Sequence, residues 1–215
     1  MKVAILTAGG LATCLSASIG ALLVNYSKEM PEAELFGYLY GYQGLLKGDL
    51  FQFSTNDIDV SQLFEFGGSL LGSSRVKLTN TKDCIRRGLV ADGESPLEVA
   101  AQQLQKDEIN ILHTVGGDDT NTMAAALSNY LSDNNYNLTV IGLPKTVDND
   151  IIPIKQSLGA DTAAQQGSIF FKNIVNENSS NPNTFIIHEV MGRHCGWLTA
   201  AVSYTHLTLP TTPYV

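Results

Sequence analysis

The chain has 215 residues, carries 21 acidic against 13 basic side chains for a formal charge of −8, and is 44% apolar. Those values exclude a disordered chain, which lacks the apolar side chains for a core, and leave room for one large or two modest domains. They also exclude a nucleic-acid or anionic-membrane surface, because no Lys/Arg run supplies the basic patch either would need, and no segment approaches the ~20 apolar residues of a membrane span.

Residues 2–7 are β-branched and apolar and stop at Gly9-Gly10, the pattern of a buried parallel strand entering a turn. The short apolar run at 3–6 has neither the length nor the small-residue cleavage site of a signal peptide. Over 16–28, Ile19, Leu22, Leu23 and Tyr26 share one helical face. Residues 34–40 read as a second strand, and the glycine-rich YGYQGLLKGD after it as loop. Ser95 and Pro96 mark a helix start, N-cap and first helical position, for a helix through Leu104. A strand at 109–115 ends at Gly116-Gly117, an Ala-rich helix follows over 119–131, and 138–143 is the next strand, leading into a loop at 144–150. The remaining elements are a helix at 161–175, a strand at 185–190 and a helix opening at 195–201. Strands alternating with helices predict an α/β fold with a largely parallel sheet. The three cysteines, Cys14, Cys84 and Cys195, are odd in number and widely spaced, which points to reduced thiols and a cytoplasmic protein.

The last fourteen residues, 202–215, contain no Lys, Arg, Asp or Glu. Their VSYTHLTLPTT reads as the translation of a transposase adapter used in building sequencing libraries. The expectation is that the native reading frame leaves the chain near Ala201 and that the tail is excluded from fold reasoning.

Chemistry concentrates where strands run into loops, the edge at which open α/β sheets bind ligands. In Gly116-Gly117-Asp118-Asp119-Thr120, two glycines allow close backbone approach and the following helix start offers unpaired N–H groups to an anion. The two carboxylates there would repel a bare phosphate, so either a divalent cation stands between them, with Mg²⁺ suited to oxygen ligands, or they simply cap the helix. The loop Pro144-Lys145-Thr146-Val147-Asp148-Asn149-Asp150 gathers a cation, a hydroxyl and carboxylates. A lysine there can neutralise a transferring phosphoryl group, and an aspartate can take a proton from an attacking hydroxyl. A solvated turn is the other reading. Gly9-Gly10 fits neither the dinucleotide fingerprint nor the Walker pattern. Arg75 and Arg193 offer guanidinium forks to phosphate. His113, His188 and His194 lack a ligand spacing and read as structural.

Five blocks in order, LTAGG at 6–10, YQGLLKGD at 42–49, GGDDTNT at 116–122, PKTVDND at 144–150 and EVMGRHCGWLTA at 189–200, resemble the phosphofructokinase family, most closely its pyrophosphate-using branch. The resemblance covers nearly all of residues 1–201 and implies a subunit of two Rossmann-like parallel-sheet domains, with the second incomplete here. Its boundaries would be 1–158 for the pyrophosphate- and Mg²⁺-binding domain, 159–201 for the start of the sugar-phosphate domain, and 202–215 for the tail. The implied reaction is reversible phosphoryl transfer from pyrophosphate to the 1-hydroxyl of fructose 6-phosphate. ATP-using relatives carry glycine at the positions of Asp119 and Lys145. The resemblance therefore implies that Asp119 excludes ATP, Lys145 stabilises the phosphoryl group in flight, Asp118 helps hold Mg²⁺ and Asp148 is the general base. It further implies that Gly10 lines the pyrophosphate site and Arg75 sits near the transferring group. Thr146, Val147, Met191, Gly192 and Arg193, with Asp148, would bind the sugar phosphate. Thr13 and Leu70 stand where the family usually has proline. A homodimer or homotetramer is implied for the intact protein. The competing expectations are an ATP-dependent enzyme on the same fold, and a non-catalytic subunit or inactive fragment.

Overall fold

The first strand, β1 (Lys2–Ala8), is buried on both faces from its second residue onward, which is why it reads as an unbroken apolar run rather than an alternation. The computed structural model describes residues 1–10, 12–53, 60–181, 183–192 and 195–207. It divides into two units, Met1–Lys145 and Thr146–Val215.

In the first unit, β1 is followed by α1 (Leu15–Glu29), β2 (Glu34–Tyr38), α2 (Tyr42–Lys47), β3 (Leu50–Gln52), α3 (Val60–Glu65), α4 (Thr81–Arg86), α5 (Pro96–Lys106), β4 (Ile111–Gly116), α6 (Asp118–Asp133) and β5 (Thr139–Pro144). The sheet order is β3-β2-β1-β4-β5, parallel except for the β2–β3 pair. Successive side chains of a strand point to opposite faces. Val3 and Ile5 accordingly pack with Leu15, Ile19 and Leu23 of α1 and Leu63 of α3, while Ala4, Leu6 and Ala8 pack with Leu45 of α2, Ala100, Ala101 and Leu104 of α5, and Met123 and Leu127 of α6. Helices thus cover both faces, the doubly wound arrangement.

The second unit holds α7 (Ala160–Ser180) and α8 (Trp197–Leu207), which pack on each other. Gly167 makes the approach possible: a Cβ there would lie 2.9 Å from Val202 Cγ2. The α8 helix runs past Ala201, and residues 208–215 of the tail fall outside the described residues.

Two local expectations are corrected. YGYQGLLKGD is not all loop. Tyr42, Leu45 and Leu46 fall at helical spacing and are buried, so they form α2, and Gly48 ends it in the left-handed conformation at φ +72°. The expected helix start holds, with Ser95 at the N-cap and Pro96 opening α5, and the Ser95 side chain makes no capping hydrogen bond. Residues 185–190 are not a strand. Their apolar side chains point to solvent, with Phe185 88% and Ile187 83% exposed, and extended backbone becomes a strand only where a neighbour completes its hydrogen bonds. The sequence reading also missed α3, and α4, where Asn80 caps the helix by accepting from the Asp83 N–H at 3.1 Å.

His113 on β4 is buried; Tyr26 Oη stands 2.8 Å from its Nε2, and Nδ1 is buried with no partner among the described residues. Burial pushes the imidazole below its usual value of 6.5. The unfolded chain therefore binds this proton more readily, so its contribution to stability is full above pH 6.5 and is lost as pH falls from there through the lowered folded value. Between pH 7.5 and 5.5 the melting temperature of the intact protein should fall more steeply than that of a His113→Gln variant. Parallel profiles in thermal melts would contradict this assignment.

Candidate active site

Gly116 is the hinge of the site. The parallel register aligns Ala8 with Gly116, and Gly116 with Pro144, so the loops after β1, β4 and β5 leave the sheet at one level. The chain crosses from β1 to β2 on one side and from β4 to β5 on the other, so the gap between the β1 and β4 ends is the topological switch point, where such sheets take ligands. A Cβ on Gly116 would fall 2.6 Å from the Ala8 carbonyl oxygen and closer still to Thr120. Only a glycine lets the two loops approach this closely.

Around that gap the first unit gathers its charged groups. Gly9 turns in the left-handed region at φ +87°, and a Cβ there would face Thr120 Oγ1 at 3.4 Å and the Gly117 N–H at 3.9 Å. The Gly9 N–H donates to the Ser74 carbonyl at 2.9 Å, and the Ser73 hydroxyl donates to the Gly9 carbonyl at 2.8 Å, which ties the segment carrying Arg75 to this loop. Arg75 Nη2 would lie 3.8 Å from a Cβ on Gly10. Lys145 is 3% exposed; its N–H donates to the Gly116 carbonyl at 2.8 Å and its ammonium to the Gly10 carbonyl at 2.5 Å. Both ends of this residue therefore bridge the loops after β1 and β4. The nearby Cys14 thiol is pushed up by burial, against the opposing pull of its Ser18 hydrogen bond and the Lys145 charge.

The α6 helix starts at the cradle with Asp118 and Asp119 in its first turn and Gly117 at the N-cap. Carboxylates are favoured there by the helix dipole. Asn121 buttresses the cradle from below, its amide donating to the carbonyls of Gly116 at 2.8 Å and Gly117 at 2.9 Å. Tyr42 of α2 donates its hydroxyl to the Thr120 carbonyl at 2.9 Å, and burial holds that phenol well above its usual range. Asp119 pairs with Lys77, Nζ to Oδ2 at 2.7 Å, whereas no ion pair engages Asp118 among the described residues. Both carboxylates are exposed. Among the described residues no group of three or more acidic, His or Cys side chains stands close enough to hold a metal.

In the second unit, Thr146, Val147 and Asp148 are half-buried in a loop with its own fastenings. The Asp148 N–H donates to Thr146 Oγ1 at 3.1 Å. Buried Ser157 donates its hydroxyl to the Thr146 carbonyl at 2.7 Å and its N–H to Asn149 Oδ1 at 2.8 Å. The Cys195 thiol donates to the Asp148 carbonyl at 3.1 Å, and the Cys195 N–H to the Gly192 carbonyl at 2.6 Å. Exposed Met191 and turning Gly192 thus lie on the segment fastened to the Asp148 loop. Arg193 lies outside the described residues.

Of the expected site residues, the first unit brings together Gly10, Arg75, Asp118, Asp119 and Lys145, and the second connects the loop of Thr146, Val147 and Asp148 with the Met191-Gly192 turn. Sequence reasoning missed Lys77, Asn121 and Ser157. Lys77 had a signal: in the extended run GSSRVKLTN it lies two residues after Arg75, and so on the same side of the chain.

A family model described as phosphofructokinase matches residues 2–206. A protein of Methylomonas methanica named pyrophosphate–fructose 6-phosphate 1-phosphotransferase is 58% identical over 97% of this chain and 51% of its own length. One of the same name from Methylotuvimicrobium alcaliphilum is 57% identical, again over 97% of this chain and 51% of its own length. A solved structure described as a pyrophosphate-dependent phosphofructokinase, from Marinobacter aquaeolei, superposes with a TM-score of 0.79 at 25% identity, covering 95% of this chain and 49% of that one. The chain spans about half the length of the curated relatives it matches. With the matched model running over nearly every residue of a doubly wound sheet whose glycine cradle lies at the switch point, the chain belongs to the phosphofructokinase family.

Proposed function

We propose that the protein of which this chain is a part transfers a phosphoryl group from pyrophosphate to the 1-hydroxyl of fructose 6-phosphate, giving fructose 1,6-bisphosphate and phosphate. The observation that carries this reading is the pairing of Asp119 and Lys145 at one glycine cradle. A carboxylate at the helix start repels the α-phosphate of a nucleotide, and a buried ammonium beside Gly10 reaches the shorter donor. The names of the Methylomonas and Methylotuvimicrobium relatives support the same donor.

In this reading Gly9, Gly10 and Gly117 admit the pyrophosphate against main-chain groups, and Arg75 and Lys145 hold its oxygens. Asp148 takes the proton of the sugar 1-hydroxyl as that oxygen bonds to phosphorus. The bond from phosphorus to the bridging oxygen breaks, and phosphate departs with both electrons. Lys145 offsets the charge that builds on the phosphoryl oxygens during this exchange. Reversal needs only phosphate as the attacking group and the Asp148 carboxyl to return the proton, so the same residues serve both directions. Thr146, Val147, Met191, Gly192 and Arg193 bind and orient fructose 6-phosphate.

The residues fit a divalent cation, Mg²⁺, in one particular way. Asp118 is an exposed carboxylate outside any ion pair among the described residues, and no protein-only ligand set accompanies it. Mg²⁺ is characteristically held by one or two carboxylates together with substrate phosphates. Asp118 would supply the protein oxygen, and the ion, when bound, lowers the charge on the donor. The intact enzyme is proposed to have two α/β domains, to form a homodimer or homotetramer, and to work in the cytoplasm. No helix among the described residues is long and apolar enough to cross a membrane.

Two outcomes are expected of the full-length enzyme. Asp148→Asn should lower kcat by about 10²–10⁴-fold, the range of a lost general base, while calorimetry finds fructose 6-phosphate bound as before; undiminished turnover would remove Asp148 from this role. Wild-type enzyme should turn over pyrophosphate and not ATP, and Asp119→Gly combined with Lys145→Gly should shift kcat/KM toward ATP by at least about 100-fold, a difference of about 2.7 kcal/mol. Equal wild-type turnover with both donors would defeat the proposed donor.

A further inference from the structure

Asp119 poses an electrostatic problem for the function proposed above. A carboxylate that repels the α-phosphate of a nucleotide also repels pyrophosphate, which brings more charge in a smaller volume. Lys77 addresses that problem. Its ammonium stands 2.7 Å from Asp119 Oδ2, with the two side chains 43% and 68% exposed. An ion pair so open to water adds little to stability; what it changes is the position and net charge of the carboxylate. The backbone that carries Lys77 is itself fixed. Val76 and Leu78 on either side are 3% and 1% exposed, and Ser73 and Ser74 are hydrogen-bonded to Gly9. The ammonium therefore extends from an anchored strand-like segment toward the first turn of α6.

The division of charge is informative. Lys77 pairs with Asp119, while Arg75 and Lys145 stand beside Gly10 on the other loop of the cradle. Lys77 is committed to Asp119 and Asp118 is assigned to the cation, while the proposed function gives Arg75 and Lys145 to the donor's phosphates. We propose that Lys77 is a specificity-determining, positioning residue. As the counter-ion of Asp119 it pins that carboxylate where it fills the space of a nucleotide's α-phosphate and offsets its repulsion of the donor, so that Asp119 excludes a nucleotide by its bulk without excluding pyrophosphate. This rests on the pyrophosphate reading given above.

The test is a double-mutant cycle in the full-length enzyme, comparing wild type, Lys77→Met, Asp119→Gly and the double variant, with Lys77→Arg as the conservative control. Steady-state kinetics are measured with pyrophosphate and with ATP, and thermal melts establish that each variant is folded. Lys77→Met should raise KM for pyrophosphate about 10-fold, within the range of coupling between contacting residues, and change kcat by less than about threefold. Lys77→Arg should keep the wild-type KM. In the double variant the penalty should vanish, its KM matching that of Asp119→Gly alone, because no carboxylate is left to neutralise. An equal penalty with and without Asp119 would make Lys77 a direct ligand of the donor and overturn the proposal, as would an unchanged KM in Lys77→Met. Wild-type enzyme that ignored pyrophosphate would overturn the donor reading itself, and this proposal with it, a result distinguishable because it appears before any substitution.

Discussion

No side chain fits at position 116. Gly116 sits in register between Ala8 and Pro144, with the Ala8 carbonyl and Thr120 occupying the space a Cβ would need. The close approach of the β1 and β4 ends follows from that single absence, and so does the reach of Lys145, whose N–H bonds to the Gly116 carbonyl while its ammonium bonds to that of Gly10. Widening the gap by one methyl group would separate the loops that these two bonds span. Overpacking of this kind typically costs about 1–3 kcal/mol, and here the displacement would fall on the candidate site.

The cradle holds a buried ammonium beside two exposed carboxylates, an arrangement costly in isolation because a buried charge needs partners. Backbone groups are among the partners supplied. The Gly10 carbonyl takes Lys145, the helix dipole of α6 favours Asp118 and Asp119, and Asn121 holds the carbonyls of Gly116 and Gly117 in place. Asp119 has a charged side chain as its partner, Lys77. Main-chain partners are fixed by the fold, so the two backbone bonds of Lys145 hold it in register with the loops after β1 and β4.

The parallel strands were legible because burial on both faces leaves an apolar run that glycine ends, as at 3–10 and 111–117. The site was legible for the same reason: its polar residues interrupt that pattern at the strand ends. What escaped was whatever tertiary contact decides. The helix α2 hides in a glycine-rich stretch because its six residues are held by burial of Tyr42, Leu45 and Leu46 rather than by propensity. Residues 185–190 have the composition of a strand and lack the neighbour that would make them one. Lys77 escaped because an ion pair between 77 and 119 is a contact across the fold, and a sequence displays spacing along the chain only. Ser157 was missed likewise: it staples the Asp148 loop to Asn149 across eight residues through a hydroxyl and an N–H that belong to no motif.

Among the described residues, the five strands of the first unit's sheet all come from residues 2–144. Domains emerging from the ribosome fold as units from the N-terminal side. Once Pro144 clears the exit tunnel, all five of these strands have been synthesised, and the outer edge of β5 has no strand beside it among the described residues, with Ile141 37% exposed. Such an edge is a template for pairing with another chain. The nascent protein thus has the strand ends that form its glycine cradle before the second unit is made, and the outer edge of β5 is where a neighbouring nascent chain could add a strand.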